Sequence, residues 1–260
     1  MTSNATPPQP LLHASKLTLH IPIIRPKDRQ LLSNPARFLI DLYFSRTNRD
    51  VVTILDKVSF TLNQGERIGI IGANGAGKST LLRLLAGIYA PSSGTLEVNG
   101  TVKGLFSISL GMYPEATGLE NIYMRGLQMG LKLQEIKEMV PEVVEFAELQ
   151  DAIENPLNTY STGMRTRLAF SISTMIEPDI LLLDEWIGAG DARFRDKVQA
   201  RMNRLVEDSR GLVLATHNTG LMKRLCTKGL VLSKGKMAYY GDLEEALEVY
   251  TNDKKLQARL

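Results

Sequence analysis

Apolar and polar positions along the chain change period several times. Leu17, Leu19 and Ile21 alternate with Thr18 and His20, which predicts a half-buried strand. Two short apolar runs, residues 58–62 and Arg67–Ile71, flank Asn63-Gln64-Gly65-Glu66 and predict a hairpin. Turn residues at Pro91-Ser92-Ser93-Gly94 and Asn99-Gly100 bracket a short strand at 95–98. From about residue 119 to 175 the period becomes helical, with Leu127, Leu131, Ile136, Val140, Val143 and Val144 recurring on one side. Strands return at 180–183 and 212–215, and residues 230–240 predict a closing hairpin over Lys234-Gly235. The sum is an α/β protein whose sheet is interrupted by a helical insertion; no internal repeat is present.

The chemistry sits where one strand meets one helix. Gly72-Ala73-Asn74-Gly75-Ala76-Gly77-Lys78-Ser79 is a complete G-x-x-x-x-G-K-[ST] phosphate loop, followed by Thr80. A β-branched run precedes it and a segment of helical composition follows, as such a loop requires. Glycines let backbone N–H groups converge on phosphate oxygens without a Cβ clash. The helix beginning near Lys78 adds the positive end of its dipole. Lys78 then reaches the β- and γ-phosphates, and the Ser79 hydroxyl holds Mg²⁺. A nucleoside triphosphate is therefore the expected ligand.

Composition narrows the class. At 260 residues the chain suits one large α/β domain with a small subdomain, and a net charge of +3 gives no nucleic-acid footprint. One cysteine, Cys226, rules out a disulfide framework and reads as a small apolar filler. No apolar stretch approaches the roughly 18 residues that span a bilayer. Residues 1–10 are polar and Pro-rich, without a basic or apolar signal region, and read as a disordered leader.

Two more strand ends carry chemistry. The apolar run at 180–183 ends in Asp184-Glu185: Asp184 is placed to orient the Mg²⁺ hydration shell and Glu185 to act as base for the attacking water. The run at 212–215 ends in Thr216-His217, where a neutral imidazole can contact the γ-phosphate. His13 and His20 have no such setting and read as structural. At Tyr160-Ser161-Thr162-Gly163-Met164 two readings stand: Ser161 as an N-cap, or Ser161 and Gly163 as a second anion site at a helix N-terminus. Its place shortly before Asp184-Glu185 favours the second.

With these motifs together, residues 11–242 resemble the ATP-binding subunits of ABC transporters. The family's Leu-Ser-Gly-Gly-Gln signature is replaced here by Tyr160-Ser161-Thr162-Gly163-Met164, which is similar to the branch that exports bacterial polysaccharides such as O-antigen, capsule, teichoic acid and galactan. Pro114-Glu115-Ala116-Thr117-Gly118-Leu119-Glu120-Asn121-Ile122 is similar to that branch's P-E-x-[TS]-G-x-E-N-[IV] segment. The implied fold is a P-loop NTPase ABC ATPase core with an antiparallel β subdomain and an inserted helical subdomain, at about 112–176. The resemblance implies ATP and Mg²⁺ as cofactors, a homodimer that sandwiches ATP, and Ser161 and Gly163 touching the γ-phosphate held by the other subunit. It also implies that Gly188-Ala189-Gly190-Asp191 is the D-loop, with Asp191 communicating across the dimer. Where most members carry a Gln ligand, Leu105-Phe106-Ser107-Ile108-Ser109 offers only serines, with Ser107 nearest. Ile21 stands where the family's adenine-stacking aromatic is usual.

Residues 25–50 are basic and aromatic. Asn34-Pro35 makes an N-cap and first-turn pair, and Ala36, Phe38, Leu39, Leu42, Tyr43 and Arg46 then follow an amphipathic pattern. The segment reads either as a core-packing helix or, with Arg25, Arg29, Arg37 and Arg49 beside it, as one that touches lipid headgroups or a lipid-linked substrate. Residues 243–260 read as a short C-terminal helix or tail, too small for a carbohydrate-binding sandwich. The expected protein is a dimeric ATPase subunit on the cytoplasmic face of the bacterial inner membrane. It would drive a separate permease pair that exports a lipid-linked glycan, without a nucleic-acid partner. The alternatives are an ABC subunit for another lipid or drug, a soluble regulatory ABC-type ATPase, and a nucleotide-binding module without turnover.

Overall fold

The structure is a computed structural model that describes residues 9–24, 49–106, 111–185 and 192–257. The segment around Phe38 and Tyr43, Ser107 and the D-loop with Asp191 lie outside the described residues.

Nine strands among the described residues form one sheet in the order β4-β1-β2-β9-β8-β3-β7-β6-β5. They are β1 (Leu12–Ile24), β2 (Arg49–Leu62), β3 (Arg67–Ile71), β4 (Ser93–Val98), β5 (Val102–Leu105), β6 (Ile180–Asp184), β7 (Gly211–Ala215), β8 (Lys228–Ser233) and β9 (Lys236–Asp242). From β8 to β5 the neighbours run parallel; β4-β1-β2 and β8-β9 run antiparallel, and a single bridge, Asp56 to Lys236, joins β2 to β9.

Parallel strands buried on both faces need apolar side chains at successive positions, and these have them. Ile68, Ile70, Ile180, Leu182, Val213, Ala215, Leu230 and Leu232 face one core. Ile71, Leu181, Leu183, Leu212, Leu214 and Val231 face a second core on the other side. The first is covered by α1 (Lys78–Leu85), through Leu81, Leu82, Leu84 and Leu85. The second is covered by α5 (Ala192–Asp208), α6 (Thr219–Leu225) and α7 (Leu243–Gln257), through Phe194, Val198, Met202, Met222, Leu243 and Ala246.

The helical insertion has its own core. Between α2 (Gly118–Gln128), α3 (Leu133–Ala147) and α4 (Thr162–Ser173), Ile122, Ile136, Val143, Leu157, Tyr160, Leu168 and Ile172 pack together. Leu127, expected on the buried stripe, is 50% exposed. The close approach falls instead at Gly126, where an added Cβ would lie 2.6 Å from Ile136. Phe146 ties this layer to the second core by ring contacts with Phe170 and Phe194, and Arg201 lies 4.7 Å over its ring.

Residues 63–66 do not close a hairpin: β2 pairs with β1 and β9, whereas β3 lies between β8 and β7. The turn is local, with Glu66 N donating to Asn63 O and Gly65 at φ +80°. Gly65 N also donates to Arg210 O, steering the chain across to the parallel sheet. After Arg67, β3 is apolar and buried, so its lowest-energy place is the sheet interior rather than beside β2. The closing hairpin is as expected, with β8 and β9 antiparallel over Lys234-Gly235.

Candidate functional site

The phosphate loop connects β3 to α1, as its flanks predict. Gly72 is buried, and a Cβ there would sit 2.5 Å from Leu232 O, so no other residue fits that approach. Gly77 caps α1 at φ +105°, a conformation that favours glycine. The loop is fixed by Ala76 N donating to Ala73 O and Gly235 N donating to Ala76 O. Ala73, Asn74 and Gly75 are exposed at its tip; Lys78, Ser79 and Thr80 are half-buried in the first turn of α1. The Lys78 ammonium donates to Gly72 O at 2.8 Å and Ala73 O at 3.1 Å. Burial holds its pKa below the ordinary lysine value, an effect opposed by the nearby Asp184 and Glu185 carboxylates.

Strand order brings the other motifs to the same edge. β7 lies between β3 and β6, and all three point their carboxyl ends the same way, the usual ligand edge of a parallel sheet. Asp184 ends β6 in register with Ala215 of β7. Glu185 follows at φ +73°, its N–H donating to Ala215 O at 2.8 Å. One carboxylate oxygen accepts from Thr216 Oγ1 at 3.0 Å, the other from His217 N at 3.1 Å. His217 Nε2 stands 4.0 Å from that second oxygen. Thus Glu185 and His217 meet, with Glu185 held in place from β7. Thr216, only 6% exposed, carries no motif signal in the sequence; its position directly before His217 was its one mark.

The residues present suit a magnesium nucleotide. The buried Gly72 cradle would be filled by any Cβ, Lys78 supplies a cation, and Ser79 and Asp184 offer the hard oxygen donors that Mg²⁺ takes.

Ser161 and Gly163 begin α4 at the surface of the helical layer. The Ser161 hydroxyl accepts from Met164 N at 3.2 Å, an N-cap, and a Cβ at Gly163 would meet only that hydroxyl, at 3.9 Å. Both belong to a helix packed on α2 and α3. The N-cap and an anion site are compatible, because the cap uses one N–H and leaves the others at the helix end facing outward.

The two motifs that mark the polysaccharide-export branch prove to be one packed unit. Thr117 and Glu120 form a reciprocal capping box at the start of α2. Asn121, fully buried, accepts from Tyr113 N at 2.7 Å and donates to the carbonyls of Tyr113, Ala116 and Thr117. This loop is stitched to the segment before the signature by Leu157 N to Ala116 O and Gly118 N to Asn155 O. Tyr160 fills the gap left by Gly118, its hydroxyl donating to Ala152 O at 2.6 Å. Burial raises the Tyr160 phenol pKa, so the group stays protonated as a donor.

Residues 55–188 match the family model described as ABC transporter, just over half of the chain. The chain belongs to the ABC transporter family. It is 41% identical to an O-antigen export system ATP-binding protein of Yersinia enterocolitica, over 84% of this chain and 92% of that protein. It is 39% identical to a teichoic acids export ATP-binding protein of Bacillus anthracis, over 86% of this chain but only 41% of the Bacillus protein's length. Among solved structures, an ATP-binding subunit of an ABC transporter superposes with a TM-score of 0.65 at 21% identity, covering 93% of both chains. A post-hydrolysis ATP-binding cassette bound to ADP and phosphate superposes at 0.63 with 18% identity, covering 89% of this chain and 98% of that one. The ABC ATP-binding fold expected from the motifs is therefore the fold of this chain.

Proposed function

We propose that this ABC family chain hydrolyses ATP to power export of a lipid-linked polysaccharide across the bacterial inner membrane, through a separate permease pair. The observation that carries the ATPase part is the seating of Glu185. Two donors just past β7 orient its carboxylate at the sheet edge that also presents the phosphate loop. The export part rests on relatives that are O-antigen and teichoic acids export ATP-binding proteins.

In this reading the loop N–H groups from Gly72 to Thr80 and the Lys78 ammonium take the β- and γ-phosphates. Magnesium, held by Ser79 and Asp184, would supply neutralisation of phosphate charge. Glu185 takes the proton of the attacking water, and His217 orients that water against the γ-phosphate. Ser161 and Gly163 act on the nucleotide of the opposite subunit and Asp191 communicates across the dimer, so two chains make two complete sites. Peripheral attachment to the cytoplasmic membrane face follows from the permease; among the described residues no helix is long and apolar enough to cross a membrane.

The test is complementation. Lys78→Ala and Ser161→Arg chains are each expected to be inactive alone, while their mixture keeps one intact composite site and regains part of the activity. A mixture as inactive as its components, with turnover per chain independent of concentration, would overturn the sandwich. Export is read separately, as surface glycan in cells that carry Glu185→Gln.

A further inference from the structure

The turn between β8 and β9, Lys234-Gly235, is bonded on one side to β2 and on the other to the phosphate loop. Both bonds belong to Gly235. Its N–H donates to Ala76 O of the loop at 3.0 Å, and its carbonyl accepts from Asp56 N of β2 at 2.9 Å. The second contact falls where a single bridge, Asp56 to Lys236, pairs the strands β4-β1-β2 with the rest of the described sheet. The joint between the two parts of the sheet is therefore also a support of the phosphate loop.

That support has little room to move. Gly235 sits at φ +80°, and a Cβ on it would lie 2.3 Å from Ile54 O, backbone that is itself held in β2. On the loop side, a Cβ at Gly77 would meet Ile54 O at 3.3 Å and Gly235 Cα at 3.9 Å, so the start of α1 adjoins the same two elements. Two hydrogen bonds in series through one residue pass a displacement on. A nucleotide that fixes Ala76 O steadies Gly235, and through it Asp56. Linkage makes the effect mutual: if the nucleotide steadies the turn, loosening the turn weakens the nucleotide. Glu185 is seated by bonds from the ends of β6 and β7, so its aim at the attacking water does not run through the turn.

We propose that the β8–β9 turn couples occupancy of the phosphate loop to the seating of β2, with Gly235 as the positioning residue that acts through Ala76. The inference rests on nucleotide binding at the phosphate loop and makes the strength of that binding depend on a residue some 150 positions away in sequence.

The experiment uses the full chain with magnesium adenylyl imidodiphosphate, an ATP analogue that is not hydrolysed, and reads amide hydrogen exchange by NMR. The analogue is expected to slow exchange at Gly235 and Asp56 by about fivefold or more, as local opening of the turn is suppressed. Gly65 is the control, because it shares a φ of +80° and its N–H also donates to a distant carbonyl, Arg210 O at 2.7 Å. Its exchange should change by less than about twofold. Equal slowing at all three amides, or none at Gly235 and Asp56, overturns the coupling. Gly235→Ala is then expected to raise the Kd of the analogue, and the KM for ATP, by about tenfold or more, while kcat at saturating ATP stays within about twofold. Gly65→Ala carries the same backbone strain, but its Cβ meets open space, so its Kd should stay within about twofold of the parent. A Gly235→Ala chain with parental Kd, or one that loses kcat rather than affinity, overturns the proposal, as does an equal loss of affinity in Gly65→Ala. Should Gly235→Ala fail to fold, exchange in the parent chain decides alone. A parent chain that binds no analogue overturns the nucleotide reading and this proposal with it; one that binds it while Gly235 and Asp56 are indifferent overturns this proposal alone.

Discussion

Thr216 Oγ1 donates to Glu185 Oε2 across 3.0 Å, joining the first residue past β7 to the first residue past β6. The hydroxyl is buried and also accepts from Asn218 N at 3.1 Å, so its own rotamer is fixed. Glu185 adopts a left-handed backbone that costs an ordinary residue about 1–2 kcal/mol. The bonds from Thr216, His217 and Ala215 hold it there.

Removing that donor while keeping the shape tests the relationship. Thr216→Val is expected to lower ATP turnover by roughly tenfold, the loss of about 1.4 kcal/mol expected for one hydrogen bond to a charged group. Nucleotide affinity should be unchanged and Thr216→Ser should restore the rate. Steady-state ATPase assays beside equilibrium nucleotide binding decide it; a Thr216→Val enzyme with parental turnover would show that the other two bonds suffice.

Glu185→Gln keeps the size of the side chain and one accepting oxygen but removes the base. Turnover is expected to fall about 10²-fold or more while ATP still binds. Single-turnover hydrolysis measured beside nucleotide affinity separates the two effects, and Lys78→Ala provides the contrast, since it should weaken binding itself.

Asn121 is a structural prediction. Asn121→Ala leaves Tyr113 N without its buried acceptor and removes the side-chain donor shared by the Tyr113, Ala116 and Thr117 carbonyls, which keep backbone donors, and stability should drop by about 2 kcal/mol. Urea unfolding reads this. The loosened loop is stitched to the signature segment, so composite-site activity should fall along with stability.

Burial raises the Cys226 thiol to about 12, with Arg67 opposing the shift. At pH 8 the folded chain therefore presents a thiol rather than a thiolate. Iodoacetamide should leave Cys226 unmodified under native conditions and label it within minutes in denaturant, as the thiol returns to its ordinary value near 8.5. Mass spectrometry of quenched samples measures both rates.

The sequence by itself determined the contiguous motifs of the site. Eight residues of phosphate loop, with a strand before and a helix after, specify their own backbone, because the glycines and the helix end act within one turn. The acid pair after β6 and the histidine after β7 were legible for the same reason, as polar residues that end apolar runs. Only the tertiary structure decided which ends meet. That β3 enters the sheet between β8 and β7, and does not fold back on β2, follows from burial on both its faces. The pairing of β7 with β6 brings Thr216 to Glu185, a pair 31 residues apart that no local pattern marks. Asn121 showed in sequence only as a motif letter, and its meaning, a side chain that satisfies a whole loop, needs the loop.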